Sequence, residues 1–222
     1  MDRSERRWVH IMSAMDATTV QAAYSRWARV YDWCFGLLFA GVRRRAIALM
    51  DLQPGSQAIE IGVGTGLSLP LMPKGCVFVG VDFSRPMLER AMMRWRKDPV
   101  RRATALVEAD GTFLPFPDRT FDSALAAFVV SAAPDPVGLL EDMCRVCRPG
   151  ARMVVVNHFS PAAPLLAKFW HGLSAITSRS LGFHADFPLA PLFEKAGIEI
   201  DHIERATIPG GWRVVTFIRR ES

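Results

Sequence analysis

The sequence predicts an α/β fold: a mostly parallel sheet covered by helices on both faces, with a helical segment in front and an antiparallel pair of strands at the end. Three observations predict it. From Ala58 onward, short β-branched runs alternate with helical patterns, and strands that alternate with helices are joined by crossovers into a buried parallel sheet. The first strand-like run ends in a set of alternating glycines, Gly62, Gly64 and Gly66. The last two runs are separated by Pro209-Gly210-Gly211, which continues neither strand nor helix and so reads as a hairpin connection. At 222 residues the chain suits one domain with a sizeable core and is short for two. It is read as a single domain over 1–222, with helices over 1–50 and the sheet core over 51–222.

Within the first 50 residues, a helix over 3–15 at about 100° per residue puts Trp8, Ile11, Met12 and Met15 on one narrow face, with Arg3, Arg6 and His10 opposite. Such a helix either lies at a membrane surface or packs on the domain's own core. Tyr24, Trp27 and Tyr31 then share a helix face by their i, i+3, i+7 spacing. Strands follow at 58–61, 77–81, 103–107, 121–127 and 153–157, with helices at 84–96 and 136–147 between them. The closing strands are 198–205 and 214–219.

Composition narrows the class. Half the residues are hydrophobic and 22% are charged, ordinary for a folded domain. The mean hydropathy of +0.15 is slightly high; a large buried sheet accounts for it, as does a surface that meets something apolar. No apolar run reaches the roughly 18–20 residues that span a bilayer, and the N-terminus lacks the apolar core of a secretory signal. A net charge of +5 permits nucleic acid, anionic lipid or an acidic small molecule without choosing among them. Arg43, Arg44 and Arg45 form one basic cluster, and Arg94, Arg96, Lys97, Arg101 and Arg102 another; both read as solvated helix faces with their following loops. Four cysteines are too few for a disulfide framework, and Cys144-x-x-Cys147 lacks the partners of a zinc site, so these two are packing residues. The expectation is a reduced, cytosolic protein without a metal.

The sharpest signal is Ala58-Ile59-Glu60-Ile61-Gly62-Val63-Gly64-Thr65-Gly66. A strand runs into glycines that let the backbone turn tightly and a ligand approach closely, and a helix is expected to follow. In open parallel sheets ligands bind at this edge. A dinucleotide site wants a third small residue where this chain has Leu67, and a phosphate loop wants a lysine that is absent. Glu60 would oppose a phosphate and suits a ligand with a cationic end. Asp82, at the end of the second strand and about 20 residues beyond the loop, is placed to accept from ribose hydroxyls or to cap the next helix. After the third strand, Glu108-Ala109-Asp110-Gly111 offers a carboxylate to an adenine amino group, and Leu114-Pro115-Phe116-Pro117 offers a wall for its ring.

Taken together, Glu60-x-Gly62-x-Gly64-x-Gly66, Val81-Asp82-x-Ser84-x-x-Met87-Leu88, Ala109-Asp110-Gly111, Phe121-Asp122 and Arg148-Pro149-Gly150 closely resemble class I S-adenosylmethionine-dependent methyltransferases over roughly residues 55–160. The resemblance implies a Rossmann-like sheet of seven strands in the order 3-2-1-4-5-7-6, with S-adenosyl-L-methionine as cofactor. It implies that Glu60, Gly62, Gly64 and Gly66 hold the methionine portion, Asp82 the ribose and Asp110 the adenine, with Phe83, Met87 and Gly111 completing the site. The segment from Tyr24 to Gly36 also resembles the N-terminal region of bacterial phospholipid N-methyltransferases that use phosphatidylethanolamine, and that of quinone-biosynthesis methyltransferases.

The cofactor half says nothing of the acceptor. Between Pro161 and Phe187 lies the apolar run from Pro164 to Leu173, followed by Arg179 and His184. An apolar lid with a few cations suits a lipid with a phosphate head, and also a polyprenyl quinone precursor. The expected reaction is stepwise methylation of phosphatidylethanolamine towards phosphatidylcholine at the membrane surface. Tyr24 and Tyr31 would orient the amine, His158 would accept or relay its proton, and Arg43, Arg179 or His184 would hold the phosphate. His158 has a plainer reading as a strand-end residue bonded to backbone. The protein is expected to be a monomer, bound to the inner face of the cell membrane through its N-terminal helix. One rival is a quinone or small-molecule C- or O-methyltransferase; a rival of another class is a non-catalytic membrane-surface protein that keeps the fold. Nucleic acid is disfavoured because Phe128-Val129-Val130-Ser131 replaces the amine-site motif expected after the fourth strand.

Overall fold

The structure is a computed structural model, and it describes residues 39–97, 104–159, 189–206 and 212–221. In chain order they form α1 (Ala40–Leu49), β1 (Gln57–Ile61), β2 (Val77–Asp82), α2 (Arg85–Lys97), β3 (Thr104–Glu108), β4 (Phe121–Ala127), α3 (Pro136–Val146), β5 (Cys147–His158), α4 (Leu189–Lys195), β6 (His202–Arg205) and β7 (Trp212–Ile218). Single 3-10 turns lie at Leu69–Leu71 and Val130–Ala132.

All seven strands join one sheet in the order β3-β2-β1-β4-β5-β7-β6. The first five are mutually parallel; β7 runs antiparallel to β5, and β6 antiparallel to β7. Both the order and the antiparallel close agree with the sequence-based expectation.

Side chains alternate across a strand, and here each face meets its own helices. Ile59 and Ile61 of β1, Ala124 and Ala126 of β4, and Met153 and Val155 of β5 pack with Leu139, Leu140 and Met143 of α3. At about 25 cal/mol per Å² of apolar surface removed from water, each of those α3 side chains contributes about 2 kcal/mol. The other face carries Ala58, Leu125, Ala127, Val154 and Val156, and packs with Val42, Ala46 and Ile47 of α1 and Leu88 and Ala91 of α2. By the same alternation Glu60, two residues after Ala58, and His158, two after Val156, belong to the α1 face. That parity is what brings them towards α1.

Three expectations are corrected. No α-helix follows the glycine loop; turns lead into the single 3-10 turn Leu69–Leu71. Pro70 and Pro73, three residues apart, each lack a backbone donor, so a helical ladder cannot propagate there. Strand β5 begins at Cys147, earlier than predicted, because Cys147 already pairs with Phe121; a register shift before Arg152 absorbs Pro149-Gly150, where Gly150 has φ +81°. The basic run on α1 is not one solvated face. Arg44 and Arg45 are exposed, but Arg43 is buried with Val42, Ala46 and Ile47.

Candidate active site

A cleft opens at the carboxyl ends of β1, β2 and β4. Glu60, Gly62, Gly64, Asp82, Phe83, Met87, Asp110 and Gly111 all line it. Arg43 reaches it from α1, and Phe128 and Val129 close it beyond β4. Gly66 lies outside that lining and packs inward.

The loop is shaped by backbone conformation. Gly62, Gly64 and Gly66 all have positive φ (+74°, +55° and +76°), which a residue with a Cβ adopts only under strain. Two of them also lack room. A Cβ on Gly62 would stand 2.5 Å from Val129 Cγ2, and one on Gly66 2.6 Å from Leu69 Cδ1. Asp82 ties the loop to β2, its Oδ2 accepting from Gly64 N at 2.8 Å and its Oδ1 from Ser84 N at 2.9 Å. Arg94, read from sequence as a solvated cation, donates instead to the Thr65 carbonyl at 2.5 Å.

Glu60 is the most unusual group in the cleft. It is buried at 2% exposure, and its Oε1 accepts from Ser68 Oγ at 2.7 Å. Its Oε2 accepts no hydrogen bond from the described residues. Burial pushes its carboxyl up to about 7, against the smaller opposing effects of the Ser68 hydroxyl and the Arg43 charge, and the Asp82 charge adds to the rise. Burial raises Asp82 as well, opposed by the backbone N–H groups that bond it. Ser68, a small polar residue two positions beyond Gly66, was not singled out in the sequence; a buried serine has no local signature.

Asp110 sits at the other end, its Oδ1 accepting from Thr112 N and Oγ1, each at 2.8 Å. Gly111 is tight, since a Cβ there would stand 2.9 Å from Ile61 Cγ2. The segment Leu114–Phe116, expected to wall an adenine ring, is not part of the cleft lining. Leu114 is buried, Phe116 packs edge-on against Phe121 at 5.2 Å, and Arg145 donates to both their carbonyls at 2.9 Å.

The α1 side is aromatic. Phe39, Phe128 and Trp212 meet edge-on, with ring centroids 4.7–5.4 Å apart, and Trp212 meets His158 at 5.4 Å. His158 is buried, and it lies outside the cleft lining. Its neighbour Asn157 accepts from Ser131 N and Oγ and donates to the His158 carbonyl. Phe128 is bulky yet has φ +64°, a costly conformation that recurs at functional sites. Tyr24, Tyr31, Arg179 and His184 lie outside the described residues.

These features fit the cofactor's chemistry. Three carboxylates face the cleft, one with an oxygen that no described donor satisfies, so a ligand bearing a cation and hydroxyls is favoured and a phosphate is opposed. A family model described as a methyltransferase domain matches residues 59–155. A phosphatidylethanolamine N-methyltransferase of Cereibacter sphaeroides is 37% identical over 92% of this chain and 98% of its own. The chain belongs to the S-adenosylmethionine-dependent methyltransferases. S-adenosylmethionine is therefore its cofactor. A demethylmenaquinone methyltransferase of Lactiplantibacillus plantarum is 27% identical over 84% of this chain and 90% of its own.

Solved structures agree on the fold of this methyltransferase. The complex of the Haloferax volcanii Trm112 activator with a methyltransferase superposes with a TM-score of 0.70 at 18% identity, over 89% of this chain and 98% of that one. The [4+2]-cyclase SpnF superposes at 0.67 and 19% identity, over 82% and 80%. A cyclase on the same scaffold illustrates that the fold by itself does not specify the reaction.

Proposed function

We propose that this methyltransferase transfers methyl groups to the amine of phosphatidylethanolamine and of its partly methylated products, at a membrane surface. One observation carries the reading: similarity to the phosphatidylethanolamine enzyme extends over 92% of the chain. That span takes in most of the residues outside the 59–155 domain match, where acceptor specificity is expected.

When bound, S-adenosylmethionine supplies an electrophilic methyl group on a sulfonium. Glu60 and the glycine loop hold its amino-acid end, Asp82 its ribose and Asp110 its adenine. The acceptor amine must arrive neutral, because its lone pair forms the new N–C bond as the S–C bond breaks. An alkyl amine is mostly protonated near pH 7, and an apolar surrounding favours the neutral form. Tyr24 and Tyr31 orient the amine, and Arg179 and His184 hold the phosphate. His158 takes the departing proton; because its ring lies outside the cleft lining, the transfer runs through an intervening water. The principal task of the protein is alignment of the two reactants.

No helix among the described residues is long and apolar enough to cross a membrane. Access to lipid is assigned to the amphipathic segment 3–15, which binds the anionic inner face of the cell membrane reversibly. Deleting residues 1–15 is expected to reduce vesicle sedimentation and leave cofactor affinity unchanged; equal sedimentation of both forms would place that segment on the domain's own core.

The deciding experiment is methyl transfer from radiolabelled cofactor into lipids presented in anionic vesicles and separated by headgroup. Label in mono-, di- or trimethylated phosphatidylethanolamine is expected. Cofactor binding without label there moves the assignment to quinone precursors, the acceptors named for relatives such as the Lactiplantibacillus enzyme. Binding without turnover on any acceptor would leave a non-catalytic membrane-surface protein.

A further inference from the structure

We propose that Arg43, held over the ring of Phe128, is the receptor for the cofactor's carboxylate, so that Glu60 and Arg43 together recognise its amino-acid end as a zwitterion. This differs from the sequence-based expectation that Arg43 holds a lipid phosphate.

Charge selects the residue. Among the described residues that line the cleft, Arg43 is the one basic side chain, facing the carboxylates of Glu60, Asp82 and Asp110. S-adenosylmethionine carries two cationic centres, the ammonium and the sulfonium, and a single anion, the α-carboxylate. A cleft with several acids and one guanidinium has the complementary pattern. A phosphodiester in the same place would sit beside Glu60, which opposes it.

Position supports the pairing. Arg43 is 7% exposed, whereas its neighbours Arg44 and Arg45 are exposed; a buried guanidinium needs an anionic or aromatic partner. Its charge acts on Glu60 strongly enough to oppose the rise of that carboxyl. In the amino-acid end of the cofactor, one carbon separates ammonium from carboxylate. With the ammonium on the Glu60 Oε2 that no described donor satisfies, the carboxylate on the same carbon is left for the guanidinium that lines the same cleft, whose planar fork matches it in bidentate fashion.

Phe128 acts as the positioning residue. Its ring centroid lies 5.2 Å from Arg43 Cζ, a cation–π separation. The ring is braced edge-on by Phe39 at 5.0 Å and Trp212 at 5.4 Å. The backbone of Phe128 is held at φ +64°, next to Val129, against which Gly62 packs without room for a Cβ. The strained turn therefore links the seat of Arg43 to the glycine loop.

The test needs no acceptor, so its failure leaves the lipid reading untouched. Calorimetry at pH 7.5 compares S-adenosylhomocysteine with its decarboxylated analogue, which keeps the ammonium and lacks the carboxylate. The wild-type protein is expected to prefer S-adenosylhomocysteine by at least tenfold. Arg43→Gln should lose most of that preference by weakening S-adenosylhomocysteine alone, and Arg43→Lys should recover part of it. Equal affinity of the wild-type protein for the two ligands overturns the proposal without any variant. An undiminished preference in Arg43→Gln overturns it too, as does equal weakening of both ligands. Should Arg43→Gln fail to fold, Phe128→Leu, which keeps the guanidinium and removes its seat, is expected to narrow the preference; an unchanged preference there overturns the role of the ring.

Discussion

The two sides of the cleft are built by different means. On the glycine-loop side, shape comes from the backbone: three positive φ angles, no room for a Cβ at Gly62 or Gly66, and ties from Asp82 to Gly64 N and from Arg94 to the Thr65 carbonyl. On the α1 side, shape comes from side chains that meet only in three dimensions: Arg43 over the ring of Phe128, with Phe39 and Trp212 packed against that ring from outside the lining. A backbone-built site tolerates few residue types at each position and leaves a compact motif. A side-chain-built site leaves none, because its parts lie far apart along the chain.

Removing charge from the loop side should have the largest effect. Glu60→Ala is expected to abolish cofactor binding with the fold intact, and undiminished binding by calorimetry would overturn that assignment. Loss of a buried carboxylate whose single described hydrogen bond comes from Ser68 costs the fold little, because an ionised group there is itself a burden. Next comes Gly62→Ala. Its methyl meets Val129 at φ +74°, so both strain and overlap apply; stability should fall by about 3 kcal/mol and cofactor affinity about a hundredfold. Thermal melting alongside calorimetry measures the two. Ordinary melting with full affinity would mean that the loop is not fixed by its backbone.

That asymmetry explains what the sequence made legible. The α/β alternation and the antiparallel close follow from short β-branched runs, helical patterns and the Pro209-Gly210-Gly211 break, and the strand order from the resemblance carried by the glycine loop and the motifs after it. In the sequence Arg43 is set apart from Arg44 and Arg45 only as a phosphate ligand; its burial depends on the surface α1 packs against, because one position on a helix is about 100°, enough to turn one guanidinium inward and leave two in solvent. Phe128 stands in the sequence only where a nucleic-acid amine-site motif is absent, since a left-handed phenylalanine has no sequence signature. The 3-10 turn after the loop has its cause in Pro70 and Pro73, whose missing donors oppose the helix that the glycine pattern leads one to expect.

A pH series sharpens the comparison further. The Glu60 carboxyl stands at about 7 against an ordinary 4.5, so between those values the folded protein keeps a proton that the unfolded chain has lost. Stability of the ligand-free protein should therefore fall as pH rises through this window, by up to about 1.4 kcal/mol per unit, and the raised Asp82 adds to the slope in the same direction. Cofactor affinity should run the opposite way, since an ammonium needs the ionised carboxylate: about tenfold tighter per pH unit up to about 7, then level. Glu60→Gln should flatten the affinity profile and leave only the Asp82 share of the stability slope. An affinity that stays constant between pH 5.5 and 7.5 in the wild-type protein would remove Glu60 from the ammonium.

The smallest effect belongs two residues from Arg43 on the same helix. Arg45 donates through Nε and Nη2 to both carboxylate oxygens of Glu204, at 2.9 and 3.0 Å, and so ties α1 to β6. Its side chain is 55% exposed, so water and salt screen the pair, and exposed pairs are worth about 0–1 kcal/mol even with good geometry. A double-mutant cycle of Arg45→Gln and Glu204→Gln should give a coupling below about 1 kcal/mol that shrinks in high salt, with no change in cofactor affinity. A coupling of several kcal/mol would mean that the α1–β6 contact holds α1, and with it Arg43, against the sheet. In that case the α1 wall would depend on the outermost strand, and the division between a backbone-built and a side-chain-built side would extend to the edge of the molecule.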